Sequence, residues 1–147
     1  MKVVDANVII HGRGLNEKLV TVPEVIDELK SGEARQGLNS HQVDSRKCSQ
    51  ESLKKVQEKS DHINAHTSET DEKLLALALD LQKPILTDDK ELQNLGLHLG
   101  AEVEGFLDDV PDEKLSWEMK CTRCGKKAED CNCGATPERK LSQRNSV

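Results

Sequence analysis

Apolar and polar positions along this chain alternate between two periods, and the switching predicts strands followed by helices. Residues 2–10, KVVDANVII, carry β-branched residues on both sides of a single acid. They predict a strand ending near Asp5 and then a loop through His11-Gly12-Arg13-Gly14. Leu19 to Val22 is a second short strand. Pro23 stands where its fixed φ suits the first turn of a helix. Val22, Val25, Ile26 and Leu29 follow the i, i+3, i+4, i+7 spacing of a buried helix face. Residues 31–50 are polar without clear period, which predicts a loop or a broken helical insertion. Gln50 to Ser60 predicts a helix with Leu53 and Val56 on one face. Ser68 to Gln82 predicts another, with Leu74, Leu75, Ala78 and Leu81 as its stripe and Ser68-x-x-Asp71 as a capping box. Beyond Pro84 the pattern gives a strand at Ile85–Thr87, a helix from Leu92 to Gly100 and a strand from Ala101 to Leu107.

Strands alternating with helices at short spacing imply parallel pairing and helices on both faces of a sheet. The expected fold is a three-layer α/β/α domain over residues 1–110, with 31–66 as an insertion. A linker at 111–117, a cysteine module at 118–134 and a tail at 135–147 follow. The tail has too little apolar content to order by itself.

Composition narrows the function. The 147 residues include one Phe, one Trp and no Tyr. A platform of stacked aromatic rings for single-stranded nucleic acid is therefore excluded. No apolar run approaches the roughly 18 residues that span a membrane. The chain opens into MKVVDANVII without a charged-then-apolar leader pattern, so a cytoplasmic protein is expected. The net charge of −6 is uneven. Residues 117–147 hold seven Lys/Arg and four Asp/Glu, a balance of +3; residues 1–116 hold fourteen and twenty-three, a balance of −9. An acidic body with a basic end suits a polyanion held by that end, and equally a solvated surface with a charged extension.

Four of the five cysteines fall in the module, as Cys121-Thr-Arg-Cys124-Gly and Cys131-Asn-Cys133-Gly. Two close pairs suit a tetrahedral Zn²⁺ site, because each supplies two thiolates from one turn. Such a site leaves no open coordination position, so its role is structural or RNA-binding. Cys48 is left over as a free thiol.

The carboxylates suggest chemistry. Asp5 ends one predicted strand, and Asp88 and Asp89 follow another. The crevice of a parallel sheet lies beyond the carboxyl ends of its strands, so these acids share an edge. On a helical wheel Glu28 falls at the border of the apolar stripe, whereas Glu24 and Asp27 lie nearer the opposite face. Asp71 sits in the first turn of its helix. Each acid alone also reads as a turn, a cap or a complement to a helix dipole. Together they point to a divalent-metal site, since carboxylate oxygens suit hard cations and phosphodiester hydrolysis.

VVDANVI, VPEVIDELK, SETDEKLLALAL and ILTDDKELQ, in that order, resemble the PIN-domain ribonucleases. With LQNLGLHLG and a Trp followed by Cys-x-x-Cys-Gly, the chain is similar to the Nob-one endonuclease family of ribosome maturation in its compact archaeal form. The resemblance spans nearly all of residues 1–134. It implies a Mg²⁺- or Mn²⁺-dependent endoribonuclease that cuts precursor small-subunit ribosomal RNA near its mature 3′ end. Its partners would be the pre-ribosomal small subunit and other assembly factors. Carried over by motif, the metal-binding acids are Asp5, Glu28, Asp71 and a fourth. The family's T-x-D pattern points to Asp89, and Asp88 occupies the x position. Asn7 matches the polar residue two after the first acid. Cys121, Cys124, Cys131 and Cys133 match the structural Zn²⁺ ligands, with the second pair one residue shorter than usual. Candidate phosphate contacts are Arg46, Lys47, Lys54, Lys55 and Lys59 in the body, with Lys120, Arg123, Lys126 and Lys127 in the module. Two readings compete: a non-catalytic zinc-ribbon RNA-binding assembly factor, and a PIN-type toxin acting on tRNA or mRNA. Retention of all four acid positions favours an enzyme, and the module and insertion argue against the toxin.

Overall fold

The computed structural model describes residues 1–11, 17–30, 43–107, 109–130, 134 and 136–146. Five short strands, β1 (Lys2–Val4), β2 (Leu19–Thr21), β3 (Val43–Ser45), β4 (Ile85–Leu86) and β5 (Val103–Glu104), form a wholly parallel sheet in the order β3-β2-β1-β4-β5. Among the described residues five helices flank the sheet: α1 (Ala6–His11), α2 (Pro23–Lys30), α3 (Gln50–Ile63), α4 (Glu69–Leu81) and α5 (Lys90–His98). This is the expected α/β/α architecture. The chain leaves β1 toward β2 on one side and later returns to β4 on the other. The strand order therefore reverses between β1 and β4, and the crevice at their carboxyl ends is where such sheets bind ligands.

The core is aliphatic. Val3, Val4, Val20 and Ile85 in the sheet and Ile9, Val56, Leu75, Leu92 and Leu95 from the helices are fully buried in one cluster, whose members all fall between Val3 and Leu95. Caps match the sequence signals. Ser68 and Asp71 form a reciprocal capping box at α4, and Asn64 and Gln82 end α3 and α4 in the left-handed conformation, with φ of 55° and 54°. Among the described residues no helix is long and apolar enough to cross a membrane.

Several local expectations fail for physical reasons. Residues 6–11 are a helix, whereas the pattern predicts a loop after a strand ending near Asp5. Asp5 ends β1 and also caps α1, accepting the Val8 N–H at 3.0 Å through Oδ1. That cap outweighs the β preference of Val8, Ile9 and Ile10. The rest of the expected loop, at 12–14, lies outside the described residues. The polar stretch 31–50 contains β3, an exposed edge strand with little apolar signal. Residues 43–63 are thus integral to the domain: β3 extends the sheet, and α3 buries Leu53, Val56 and Ile63.

The linker expected at 111–117 and the tail expected to be unstructured at 135–147 instead form an antiparallel ribbon, β6 (Glu113–Cys121) with β7 (Pro137–Ser146). Pairing here needs no core face. Main-chain bonds carry it, and the Arg139 guanidinium lies 4.0 Å over the Trp117 ring. Asn94 of α5 grips β6 at Leu115, accepting its N–H at 2.7 Å and donating to its carbonyl at 2.9 Å. Arg139 reaches Glu91 at 2.6 Å and the Asn64 carbonyl at 3.1 Å, and Asn64 donates to the Trp117 carbonyl at 2.7 Å.

At Gly96 α5 approaches β5 closely. A Cβ there would stand 2.7 Å from Val103 Cγ2 and 3.5 Å from Leu75 Cδ1. Gly96→Ala should gain about 1 kcal/mol of helix propensity but incur an overpacking cost of about 1–3 kcal/mol. A net loss of stability in urea unfolding is expected; a gain would mean that β5 yields to the methyl group.

Candidate active site

Asp5, Glu28, Asp71 and Asp89, from four separate elements or their ends, line one cleft of about 610 Å³. Asn7, Glu24, Ser68 and Thr70 also line it. The cleft lies at the carboxyl ends of β1 and β4, where the strand order reverses. Its acids are separated in sequence and brought together by topology.

Asp5 is the most constrained. Its Oδ2 accepts the Thr87 hydroxyl at 2.5 Å while Oδ1 caps α1. Burial raises its pKa, and the charges of Asp71 and Asp89 add to that, against the two hydrogen bonds. Thr87, fully buried, also accepts the Asp89 N–H at 3.1 Å, and Gln93 donates to the Thr87 carbonyl at 2.6 Å. One hydroxyl thereby links the acids that follow β1 and β4. The sequence places Thr87 at the end of the strand expected at Ile85–Thr87 and in the T-x-D pattern, without a role at the acids; its position at the carboxyl end of a buried strand is the signal for that role.

The two adjacent acids after β4 separate cleanly. Asp89 faces the cleft and caps α5, accepting from Glu91 N at 3.0 Å and Leu92 N at 3.3 Å. Asp88 turns toward the segment after β5, where Oδ1 accepts from Phe106 N at 2.7 Å and Leu107 N at 3.0 Å. Asn caps a helix about as well as Asp. Asp89→Asn should therefore keep the fold and lose activity. Asp88→Asn weakens charge-assisted bonds to a loop, and should lower the melting temperature while sparing turnover. Paired melting and cleavage assays that gave the reverse ranking would move the fourth acid to Asp88.

Glu28 is exposed on α2, at the cleft as expected. Glu24 was missed. It is half-buried, lines the cleft and binds Lys73 Nζ at 2.9 Å, which holds its carboxyl below the usual range. Glu24 and Glu28 are four residues apart on one helix and so share a side; that spacing was the signal.

The donor set suits a hard divalent cation. Every ligand would be an oxygen, and several charges repel until something neutralises them. Among the described residues no three acids, histidines or cysteines already stand close enough to hold one ion.

In the ribbon, Cys121 is buried and accepts the Arg123 N–H at 3.4 Å on its Sγ, and Gly125 adopts φ 73° just after Cys124. A Cys-x-x-Cys-Gly turn with an N–H aimed at sulfur is the form that holds a thiolate for a metal. Cys131 and Cys133 lie outside the described residues. Cys48 is a free, half-buried thiol whose pKa is raised by burial. Of the proposed phosphate contacts, Arg46, Lys47, Lys54 and Lys55 are exposed and Lys59 is half-buried. Lys120, Arg123, Lys126 and Lys127 lie on the ribbon and its turn, apart from the cleft lining.

A family model described as the PIN domain of ribonuclease matches residues 3–81. Endoribonuclease Nob1 of Methanocaldococcus jannaschii is 31% identical over 153 residues, covering 96% of this chain and 78% of that protein. Endoribonuclease Nob1 of Archaeoglobus fulgidus is 30% identical, covering 89% and 83%. Ribonuclease VapC1 of Thermoplasma acidophilum is 32% identical, covering 99% and 80%. The matched span carries β1 through α4, with Asp5, Glu28 and Asp71, and the relatives' coverage extends through most of the chain; the protein belongs to the PIN-domain ribonucleases, within the Nob1 family.

Proposed function

We propose that this protein is a divalent-metal-dependent endoribonuclease of the cytoplasm that cuts precursor small-subunit ribosomal RNA near its mature 3′ end. The observation that carries the nuclease reading is the gathering of Asp5, Glu28, Asp71 and Asp89 around one cleft. Similarity to proteins named Endoribonuclease Nob1 supports the substrate class.

Those four acids would hold Mg²⁺ or Mn²⁺, which when bound supplies activation of water and offsets charge on the scissile phosphate. The chain's own groups do the rest. Thr87 fixes the Asp5 carboxylate, and the capping box orients Asp71 through its Oδ2, which accepts the Ser68 N–H at 3.3 Å. Asp89 is fixed at the start of α5 by its own cap. No histidine or serine of the chain need act as nucleophile. Four cysteines, Cys121, Cys124, Cys131 and Cys133, would hold a structural Zn²⁺ that closes the ribbon's turns.

The test is cleavage of a short RNA spanning the 3′ end of the small-subunit RNA, in Mn²⁺ and with a chelator. Metal-dependent cutting at a defined position is expected. Similarity to Ribonuclease VapC1 favours a second reading, a ribonuclease whose substrate is not the ribosomal RNA precursor. Efficient cutting of a tRNA in place of the ribosomal RNA would establish it. RNA binding without any cleavage would leave the non-catalytic assembly factor.

A further inference from the structure

Away from the catalytic cleft, α3 and the end of α5 meet in a groove of about 470 Å³ lined by Lys55, Glu58, Lys59, His62 and Leu99. None of these residues lines the acidic cleft. Lys55, Lys59 and His62 come from α3. The His98 ring at the end of α5 and Lys114 of β6 approach from the other sides: Lys59, Lys114 and His62 all act electrostatically on His98. His98 joins α5 to the ribbon, because its Nε2 lies 2.8 Å from the Leu115 carbonyl and must donate to it.

We propose that this groove is an RNA-binding surface, in which Lys59 of the body and Lys114 of the ribbon together hold the sugar–phosphate backbone of the substrate strand. The proposal rests on the ribonuclease reading above and adds a surface to it. Charge carries the argument. In a protein of net charge −6, two lysines and one histidine line this groove against one acid, Glu58, and Lys114 and His98 stand beside it. Among the described residues Lys59 and Lys114 form no ion pair, and Lys55 reaches only Glu51, at 4.0 Å. On its own helix Lys59 has Lys55, Val56, His62 and Ile63 at the three- and four-residue spacings, so no local carboxylate answers its charge. Cations held together without counter-charges repel one another, and a polyanion relieves that repulsion while releasing its own counterions. No Phe, Tyr or Trp is among the described lining residues, and the cations there would grip phosphates rather than read base identity.

The His98 ring reports on occupancy. Burial holds its pKa down, and the facing charges of Lys59, Lys114 and His62 add to that. Neutralising those cations with phosphates should raise it, so that binding favours proton uptake by this ring.

The test uses the full chain carrying Asp5→Asn, which prevents cutting, and a short labelled single-stranded RNA across a salt series. Adding Lys59→Gln and Lys114→Gln should flatten the log–log salt slope by about 1.4, at about 0.7 per contact. It should also weaken binding about 25-fold at 0.1 M salt, about fivefold per contact. The His98 proton signal should titrate upward on adding RNA to the parent and stay fixed in the triple variant. Lys114→Gln alone, on the ribbon and outside the core, gives half the effect should the triple variant melt early. Unchanged slope and affinity in a folded variant overturn the groove while leaving the ribonuclease reading intact. Absence of RNA binding by the parent overturns both. Poly-glutamate binding as tightly as RNA, with the same sensitivity to the two substitutions, would reassign the surface to an acidic protein partner.

Discussion

Asp5→Asn should abolish RNA cleavage and at the same time make the metal-free protein more stable. The loss follows from its place in the cleft. Substitutions in the outer shell of metal sites cost about 10–100-fold, so removing a carboxylate that would bind the ion directly should cost more. The gain follows from its surroundings. Burial, with Asp71 and Asp89 nearby, raises the Asp5 pKa, so the folded chain binds this proton more tightly than the unfolded chain does. At neutral pH the charged carboxylate therefore destabilises the fold, by about 1.4 kcal/mol for every tenfold by which folding tightens its hold on the proton. Asn is neutral and still offers one oxygen to the Val8 N–H. An increase in stability is expected at pH 7. It should shrink as pH falls through the raised pKa toward the ordinary carboxylate value, where both forms are neutral. Mn²⁺ should raise the melting temperature of the parent and leave that of the variant nearly fixed. A variant that still cuts at the parent's rate in Mn²⁺ would remove Asp5 from the site.

The same topology explains what could be read from the residues alone. Asp5 and Asp89 are separated by most of the domain, yet each follows a buried strand of a parallel sheet, and that rule alone puts both at one edge. Asp71 was legible because Ser68 announces the start of its helix. Glu24 was not, because the wheel was drawn from the apolar stripe of α2. The cleft side of that short helix is neither its core face nor the face opposite, so a residue there falls between the two categories. The helix at Ala6–His11 was hidden by its β-branched residues, since a single aspartate that both ends a strand and caps a helix leaves no periodic trace. The ribbon was hidden for another reason. β7 reads PERKLSQRNS, and with Pro137 and Leu141 as its only apolar residues it has no face to bury. Its order comes from main-chain pairing with β6 and from single polar contacts such as Asn94 to Leu115, and hydropathy does not record those.

Deleting residues 113–147 should leave a folded domain that has lost most of its hold on RNA. The fully buried cluster runs from Val3 to Leu95 and contains no residue of the ribbon. What truncation removes on the body side is mostly polar, although Leu97 also loses the cover of Leu115 and Trp117. Asn94, His98 and Glu91 lose partners but regain water, and exposed polar groups lose little net stability when a hydrogen bond to protein becomes one to solvent. A cooperative transition with a modestly lower midpoint is therefore expected. The cations of the ribbon are a different matter. Lys114, Lys120, Arg123, Lys126 and Lys127 all go with it, as does the +3 balance of residues 117–147. If about four of them contact phosphates, the salt slope should flatten by about 2.8 and affinity at 0.1 M salt should fall by two to three orders of magnitude, at about 0.7 in slope per contact. The acids of the cleft remain, so at saturating RNA the truncated protein should still cut in Mn²⁺. Unfolding of the truncated chain would mean that α5 needs β6 against it. Unchanged affinity would show that the body alone holds the strand, leaving the ribbon to dock on protein.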